Sequence, residues 1–487
     1  MREPTAVAGL AGSYDLLVAG AGPAGLAAAS EAAGLGLSVL LVDENAAPGG
    51  QIYRGVTATP VADRAVLGAD YWRGEAVIGA LFASDVVYLP ACTLWTLGSV
   101  PADAESPAGF QVGLSRGGTA RLIRVREVVA ATGALERPFP IPGWTLPGVM
   151  TAGAAQIALK TAGLVPNGRT VVAGCGPLLY LLTAQLRAAG APIVALLDTA
   201  PRANWIAAAP HLVGFMRSPY LGKGLKLLAA ASRGLRVVRG VTALAASGEE
   251  RVSSVAFRRG AGPEERIGCD LLLLHQGVVP NVALSSAAGC AHDWDAAQLC
   301  WRPRVDAWFE TSIPGLSVAG DGAGIAGAES AASRGRIAAI GAAARLGRIA
   351  KGERDRRAEP VRAALARAGR GRRFIDALYR PAKAFRVPAD PDTIVCRCEE
   401  VTAGQVRDVV ALGATGPNQA KAFLRAGMGP CQGRLCGLTV TELIADGRGV
   451  GPGDVGAYRL RPPFKPITLG EIASLPLTEA ARLAVER

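Results

Sequence analysis

The sequence predicts an α/β chain built from two dinucleotide-binding units and closed by a small helical domain that gathers four cysteines. Three observations predict it. The grammar of strand, glycine turn, helix, strand and acid occurs at residues 14–44 and again at 168–198. Cys396, Cys398, Cys431 and Cys436 stand in two close pairs near the C-terminus. Glycine and alanine are abundant and aromatics few, as close packing of helices on buried parallel strands requires. At 487 residues the chain is too long for one simple core and divides into about two to four domains.

In the first unit, YDLLVAGAGPAGLAAASEAAGLGLSVLLVDE, the apolar run Leu16–Ala19 enters a turn with Gly20, Gly22 and Gly25 at the G-x-G-x-x-G positions and Pro23 and Ala24 among them. An alanine-rich helix, a strand over Val39–Val42 and the acids Asp43 and Glu44 follow. Gly20 permits the tight turn, Gly22 admits backbone amides close to a pyrophosphate, and Gly25 lets helix and strand touch. The helix N-terminus offers unpaired N–H groups to phosphates. An acid at the end of the second strand accepts from ribose hydroxyls. A bare motif is weak; inside a complete βαβ unit it marks a dinucleotide site.

Three more pieces resemble the flavin side of the glutathione-reductase-like flavoproteins, which carry two dinucleotide-binding domains. They are Gly49-Gly50-Gln51, Ala131-Thr132-Gly133 and, far along the chain, Gly320-Asp321 in PGLSVAGDGAG. The resemblance implies FAD: the turn at Thr132 and Gly133 returns near its pyrophosphate, and Asp321 meets its ribityl hydroxyls. Taken alone, Thr132-Gly133 is also a generic turn. The FAD domain is expected over 14–145 and 275–350, ending in a helix that runs to near Ala350.

The inserted region 146–274 repeats the grammar in GRTVVAGCGPLLYLLTAQLRAAGAPIVALLDTAPR, with Gly174, Gly176 and Pro177 in the turn, strands over Thr170–Ala173 and Ile193–Leu197, and then Asp198. Asp198 favours a 2′-hydroxyl over a 2′-phosphate, hence NAD or ATP/ADP over NADP. The third glycine position is Leu179, and a branched side chain there is expected to push the helix outward. Productive NAD binding, adenine-nucleotide binding without hydride transfer, and a vestigial unit all stay open. Trp205, His211 and Met216 either line a pocket or pack, and the lone His211, His275 and His292 read as structural.

Residues 351–390 form a basic, proline-containing linker whose first part is helical. Within it, residues 351–373 hold nine basic and three acidic side chains, a net six of the chain's +12. No nucleic-acid motif accompanies this charge, so it reads as a solvated connector or a surface for an acidic partner. The N-terminus lacks the pattern of a secretory leader, no apolar run reaches about 18 residues, and a cytoplasmic protein is expected, with at most peripheral membrane association.

Residues 391–450 carry the cysteines. Cys396 and Cys398 are one residue apart, Cys431 and Cys436 four apart, so four thiolates can converge, the usual complement of a [2Fe–2S] cluster. Zinc takes four thiolates too, although its knuckles use Cys-x2–4-Cys; disulfides and plain thiols complete the alternatives. Cys92, Cys175, Cys269, Cys290 and Cys300 are scattered and read as core residues. Thr402 is the expected N-cap of one helix, and a second is expected over 419–426. Short helices framing surface loops would leave the cluster near solvent. The segment resembles the bacterioferritin-associated-ferredoxin type of [2Fe–2S] domain, with a wider closing pair than that family often has. The proline-rich tail, 451–487, reads as an arm laid on another surface.

No cysteine pair stands near the flavin, which excludes a disulfide reductase mechanism, and no general base is evident, so the catalytic residues stay unassigned. Nearly the whole chain resembles the large subunit of bacterial opine oxidases, of dye-linked L-proline or D-hydroxyproline dehydrogenases and of hydrogen cyanide synthase. That resemblance implies an electron-transfer subunit beside a catalytic, FAD-containing, amino-acid-oxidase-like partner. A small ferredoxin-like subunit is a further candidate partner. The complex would oxidise a C–N bond of an amino acid, imino acid or opine and pass electrons to a quinone- or dye-like acceptor. A self-sufficient NADH-dependent reductase and a nucleotide-binding scaffold are the alternatives.

Overall fold

The computed structural model describes residues 1–102 and 107–476. Two parallel-cored sheets organise it. In the first, strands Val87–Leu89, Val39–Val42, Ser13–Ala19 and Thr119–Ala130 lie side by side, all parallel, and Gly109–Arg116 and Thr93–Val100 continue the sheet antiparallel. Leu316–Val318 returns from far along the chain to pair with Val128–Ala130. Strand Val39–Val42 is buried at every position, which is why it reads as an uninterrupted apolar run.

Helix Pro23–Gly34 covers one face of this sheet, and helix Ala328–Arg345 packs on it. They approach so closely that a Cβ on Gly335 would fall 2.0 Å from the Ala24 carbonyl oxygen. Alanine and glycine at this crossing are therefore steric requirements. The closing helix stops at Arg345, earlier than the apolar pattern suggests, because Gly347 at φ +73° ends the turn.

The second sheet is fully parallel, in the order Arg236–Arg239, Ile193–Asp198, Thr170–Cys175, Leu271–Gln276, Val149–Thr151. Its helix forms over Pro177–Ala188 with Leu179 at 0% exposure, in one core cluster with Val172, Leu182, Leu186 and Leu196. A small antiparallel pair, Ala134–Glu136 with Val278–Pro280, joins the two sheets.

The basic linker is two helices, Lys351–Ala368 and Arg372–Leu378. It lies on the chain through Arg354 and Arg362, whose guanidinium groups sit 4.2 and 4.5 Å from the Trp308 ring centre. The cysteine segment has its own core of Val395, Val401, Val406, Val440, Leu443 and Ile444 under helices Ala403–Ala411, Pro417–Leu424 and Gly437–Arg448. Thr402 caps the first helix in a full capping box with Gln405. The second begins two residues earlier than the sequence suggests, because Pro417 is pre-organised for a first helical turn.

The tail lies on this chain's own surface. Phe464 is buried in the first sheet's outer core and its N–H donates to the Trp95 carbonyl, while Lys465 meets Glu44 at 2.7 Å. The rest of the expected arm, 477–487, lies outside the described residues.

The cysteine segment is joined to the first sheet by a buried carboxylate. Glu442, 4% exposed, stands 4.0 Å from Arg137, the residue that follows the joining strand, and is ion-paired to Arg386 of the linker. Removing the charge leaves the buried Arg137 and the half-buried Arg386 without their carboxylate, so Glu442→Gln is expected to cost about 3 kcal/mol. Urea titration followed by alkylation of Cys436 measures this; an unchanged midpoint would show that the carboxylate does not hold the junction.

Candidate functional site

The first glycine turn is built by contact. Gly20, at φ +107°, sits where a Cβ would lie 2.5 Å from the Ala131 carbonyl oxygen, and a Cβ on Gly25 would lie 1.8 Å from that of Gly20. A Cβ on Gly50 would meet the Gly22 Cα at 2.7 Å, so the Gly49-Gly50-Gln51 loop closes directly over the turn. Pro23 begins the helix and Ala24 is buried behind it. Asp43 spends its oxygens locally: Oδ2 accepts from Ala21 N–H (2.5 Å), and Oδ1 from Asn45 N–H and Nδ2 (2.7 and 2.6 Å). Asp43 therefore locks the turn, and the more exposed acid is its neighbour Glu44.

The distant pieces converge on this turn. Thr132 Oγ1 donates to the Asn281 carbonyl at 3.2 Å, and the Gly133 carbonyl accepts from Asn281 N–H at 2.9 Å. Gly320, at φ +71°, packs on Ala24, and Asp321 Oδ1 accepts from Ala326 and Gly327 N–H at 2.9 and 3.1 Å. Arg334 holds this loop from beneath by donating to the Gly320 and Gly324 carbonyls. A glycine-walled turn facing a half-buried carboxylate with one oxygen unused by its own loop fits a flavin dinucleotide.

Lys160 carries no motif in the sequence. It is 3% exposed on helix Ala152–Ala162 and donates to the Gln51 and Ile52 carbonyls, both at 3.1 Å. Its sequence signal is slight: a lysine beside Leu159 and one turn after Gln156 on the buried face of that helix.

The second turn differs in kind. Gly174 and Gly176 have positive φ, and a Cβ on Gly174 would overlap the His275 carbonyl. Leu179 fills the space that a third glycine would leave. Asp198, 6% exposed, accepts from Tyr180 OH at 2.6 Å and Ala200 N–H at 2.9 Å. The linker lies over the strand ends here: Asn204 Nδ2 donates to the Leu378 and Arg380 carbonyls at 2.9 Å, and Cys175 Sγ reaches the Tyr379 carbonyl at 3.5 Å. His275 pairs with Glu136 at 2.7 Å and His292 with Ser285 at 2.9 Å, both structural as expected. Trp205 and Met216 are 60% and 58% exposed.

The cysteines lie on two segments pressed together, since a Cβ on Gly429 would meet Cys398 Cβ at 2.3 Å. Cys396 and Cys436 are buried, Cys431 half-buried and Cys398 exposed. Cys436 interacts with Cys396 and Cys431, and Cys431 with Cys398. As free thiols they share protons unequally. Bonding from Cys436 pulls Cys431 down to about 5 and Cys396 to about 6, while the same contacts push Cys436 up. Partial desolvation, and then its contact with Cys431, raise Cys398 although it is exposed. Among the described residues no group of three or more His, Cys, Asp or Glu is closed tightly around a single ion; the sulfurs form a chain of neighbours. Four thiol donors in one loop system match the donor set of an iron–sulfur cluster.

This fold and these sites define a flavoprotein oxidoreductase with an appended iron–sulfur-type cysteine domain. Residues 14–347 match the pyridine nucleotide-disulphide oxidoreductase family, to which the chain belongs, and 394–446 match the BFD-like [2Fe-2S] binding domain. The chain is 49% identical over 486 residues to an opine oxidase subunit of Agrobacterium tumefaciens, covering 100% of this chain and 96% of that one. It is 32% identical over 470 residues to hydrogen cyanide synthase subunit HcnB of Pseudomonas aeruginosa, covering 94% and 98%. Among solved structures it is similar to L-proline dehydrogenase from P. horikoshii, with a TM-score of 0.66 and 19% identity over 94% of this chain and 79% of that one. No helix among the described residues is long and apolar enough to cross a membrane.

Lys160 generates a pH prediction. Burial, and then the nearby Arg54, bring it down to about 7 in the folded chain, against about 10.4 unfolded. Between those values the unfolded chain binds more protons, so this lysine makes stability rise with pH from about 7 to about 10. Lys160→Met is expected to remove that rise, on the order of 4 kcal/mol, in denaturation midpoints measured across the range. Parallel pH profiles for the two proteins would refute the assignment.

Proposed function

We propose that this chain is the FAD- and [2Fe–2S]-bearing electron-transfer subunit of a heteromeric dehydrogenase that oxidises a C–N bond of an amino acid, imino acid or opine. The observation that carries the reading is the docking of the four-cysteine domain, through Glu442 and Arg137, onto the strand pair that leaves the flavin-side turn at Gly133. Gly20, Gly22, Gly25, Gly50, Thr132, Gly133, Gly320 and Asp321 would hold the FAD, and Cys396, Cys398, Cys431 and Cys436 the cluster. Together such groups supply the exchange between two-electron and one-electron chemistry.

This chain's residues position rather than transform. The glycines bring amides to the phosphates, Asp321 receives hydroxyls, and Lys160 fixes the loop over the turn. Exposed Cys398 puts one edge of the cysteine site at the surface, where an electron can enter from a catalytic partner or leave toward a quinone- or dye-like acceptor. The names of the similar chains, which are subunits of opine oxidase and hydrogen cyanide synthase, support both the partner and the C–N donor class. Exposed apolar side chains, with Ile206 at 79%, Val213 at 63% and Leu225 at 61% exposure, support the partner alone.

In the second unit Asp198 is already bonded to Tyr180, and the linker covers the strand ends. NADH is therefore expected to leave the flavin of the isolated chain oxidised under anaerobic stopped flow. In the complex, an amino-acid, imino-acid or opine donor is expected to bleach it. Rapid bleaching by NADH alone would overturn this reading in favour of a self-sufficient reductase.

A further inference from the structure

Tyr458 lies outside the segment matched as a [2Fe-2S] binding domain, twelve residues beyond its end at 446. It is nevertheless built into the cysteine site. The residue is 6% exposed, and its ring occupies a slot walled by three glycines that flank the closing cysteines. A Cβ would meet that ring at 2.7 Å from Gly427, 2.7 Å from Gly433 and 3.3 Å from Gly437.

The backbone is clamped independently of the ring. The Gly456 carbonyl accepts from Thr441 Oγ1 at 3.0 Å, the Ala457 carbonyl from Asn418 Nδ2 at 3.0 Å, and Arg459 N–H donates to Asn418 Oδ1 at 2.9 Å. The ring is thus delivered to one place, and its hydroxyl is buried there.

That hydroxyl closes no hydrogen bond among the described residues. Its side-chain interaction is with Cys436, and Cys396 and Cys431 are its next electrostatic neighbours. A buried hydroxyl without a closed bond is costly and calls for an explanation. A thiol is a weak acceptor, whereas a sulfur that carries negative charge is a good one.

Resting on the cluster assignment above, we propose that Tyr458 is the positioning donor of the iron–sulfur site. Its O–H donates to sulfur at Cys436 when the cysteines hold a cluster, and so favours the reduced state. Reduction adds one electron and one unit of negative charge beside this hydroxyl. The hydrogen bond strengthens without the proton leaving oxygen, and hydrogen bonds to sulfur are one of the levers that set a cluster's potential.

The test is Tyr458→Phe in the full-length protein, which keeps the ring in its slot and deletes only the hydroxyl. The cluster is expected to remain, with unchanged iron and sulfide content. Its midpoint, titrated anaerobically by EPR, is expected to move to a more negative potential with altered g-values. A retained cluster with wild-type potential and g-values would overturn the proposal.

Should the variant not hold its cluster, the wild-type protein still decides. Its Fe–S(cysteine) stretching bands in resonance Raman are expected to shift in D2O, and bands that do not move would overturn the assignment. A wild-type protein that contains no [2Fe–2S] centre would instead sink the cluster reading on which this one rests, and the two failures are told apart before any variant is made.

Discussion

A single buried carboxylate decides how the parts of this chain meet. Glu442 belongs to the helix that follows Cys436, Arg137 comes just after the strand Ala134–Glu136 that leaves the Gly133 turn, and Arg386 belongs to the end of the linker. Burial, followed by the like charges of Arg137 and Arg380, pulls Arg386 down to about 10. Two buried ions and a half-buried one are a poor source of net stability, because desolvation consumes most of the Coulomb gain. They are an effective source of placement, since any other docking leaves a charge buried without its partner. The Arg137 guanidinium also donates to the Gln298 carbonyl at 2.6 Å, and Gln298 Nε2 to the Ile325 carbonyl at 2.8 Å beside the Asp321 loop. The docked helix and the flavin-side loop are thereby referred to the same few atoms.

The two nucleotide units show how one change of side chain redirects one grammar. At Gly25 the helix backbone touches the strand, with room for no Cβ at all. At the matching Leu179 the contact is made by a whole side chain at 0% exposure. The expectation of a displaced helix follows from the glycine's role in close packing; the helix forms over Pro177–Ala188 and the leucine belongs to its core. Tyr180, the next residue, then reaches Asp198, and the acid that the grammar reserves for a ribose acquires a protein partner.

What was legible in the sequence is what is local. The glycine turns, the helix cap at Thr402 and the apolar strands follow from rules spanning a few residues, and those elements lie close to where the pattern places them. The missed residues act at long range. Lys160 meets Gln51 across 109 residues, Trp144 Nε1 donates to the Ile394 carbonyl across 250, and Arg345 pairs with Glu127 across 218. No spacing rule reports such contacts. Asp43 is the instructive case: the motif identified the right position, but its oxygens are claimed by Ala21 and Asn45, a detail fixed only once the turn has closed.

The tail is where these levels meet. Tyr458 lies against the cysteine loop and Lys465 pairs with Glu44 at the rim of the first glycine turn. Seven residues span at most about 25 Å when fully extended, so the tail itself bounds the distance between the two sites. A tighter link runs beside it. The Gly133 carbonyl accepts from Asn281 N–H, the Val282 carbonyl from Ser286 N–H, and Ser286 Oγ donates to the Tyr458 carbonyl at 3.4 Å. From the Gly133 turn to the cysteine loop the chain thus passes through one short helical turn and three hydrogen bonds. A domain that had to swing to deliver electrons would need a hinge at this junction. Here the ion triad, the clamped tail and the glycine slot all act against one, so the packing holds the cysteine loop and the first glycine turn in a fixed relation.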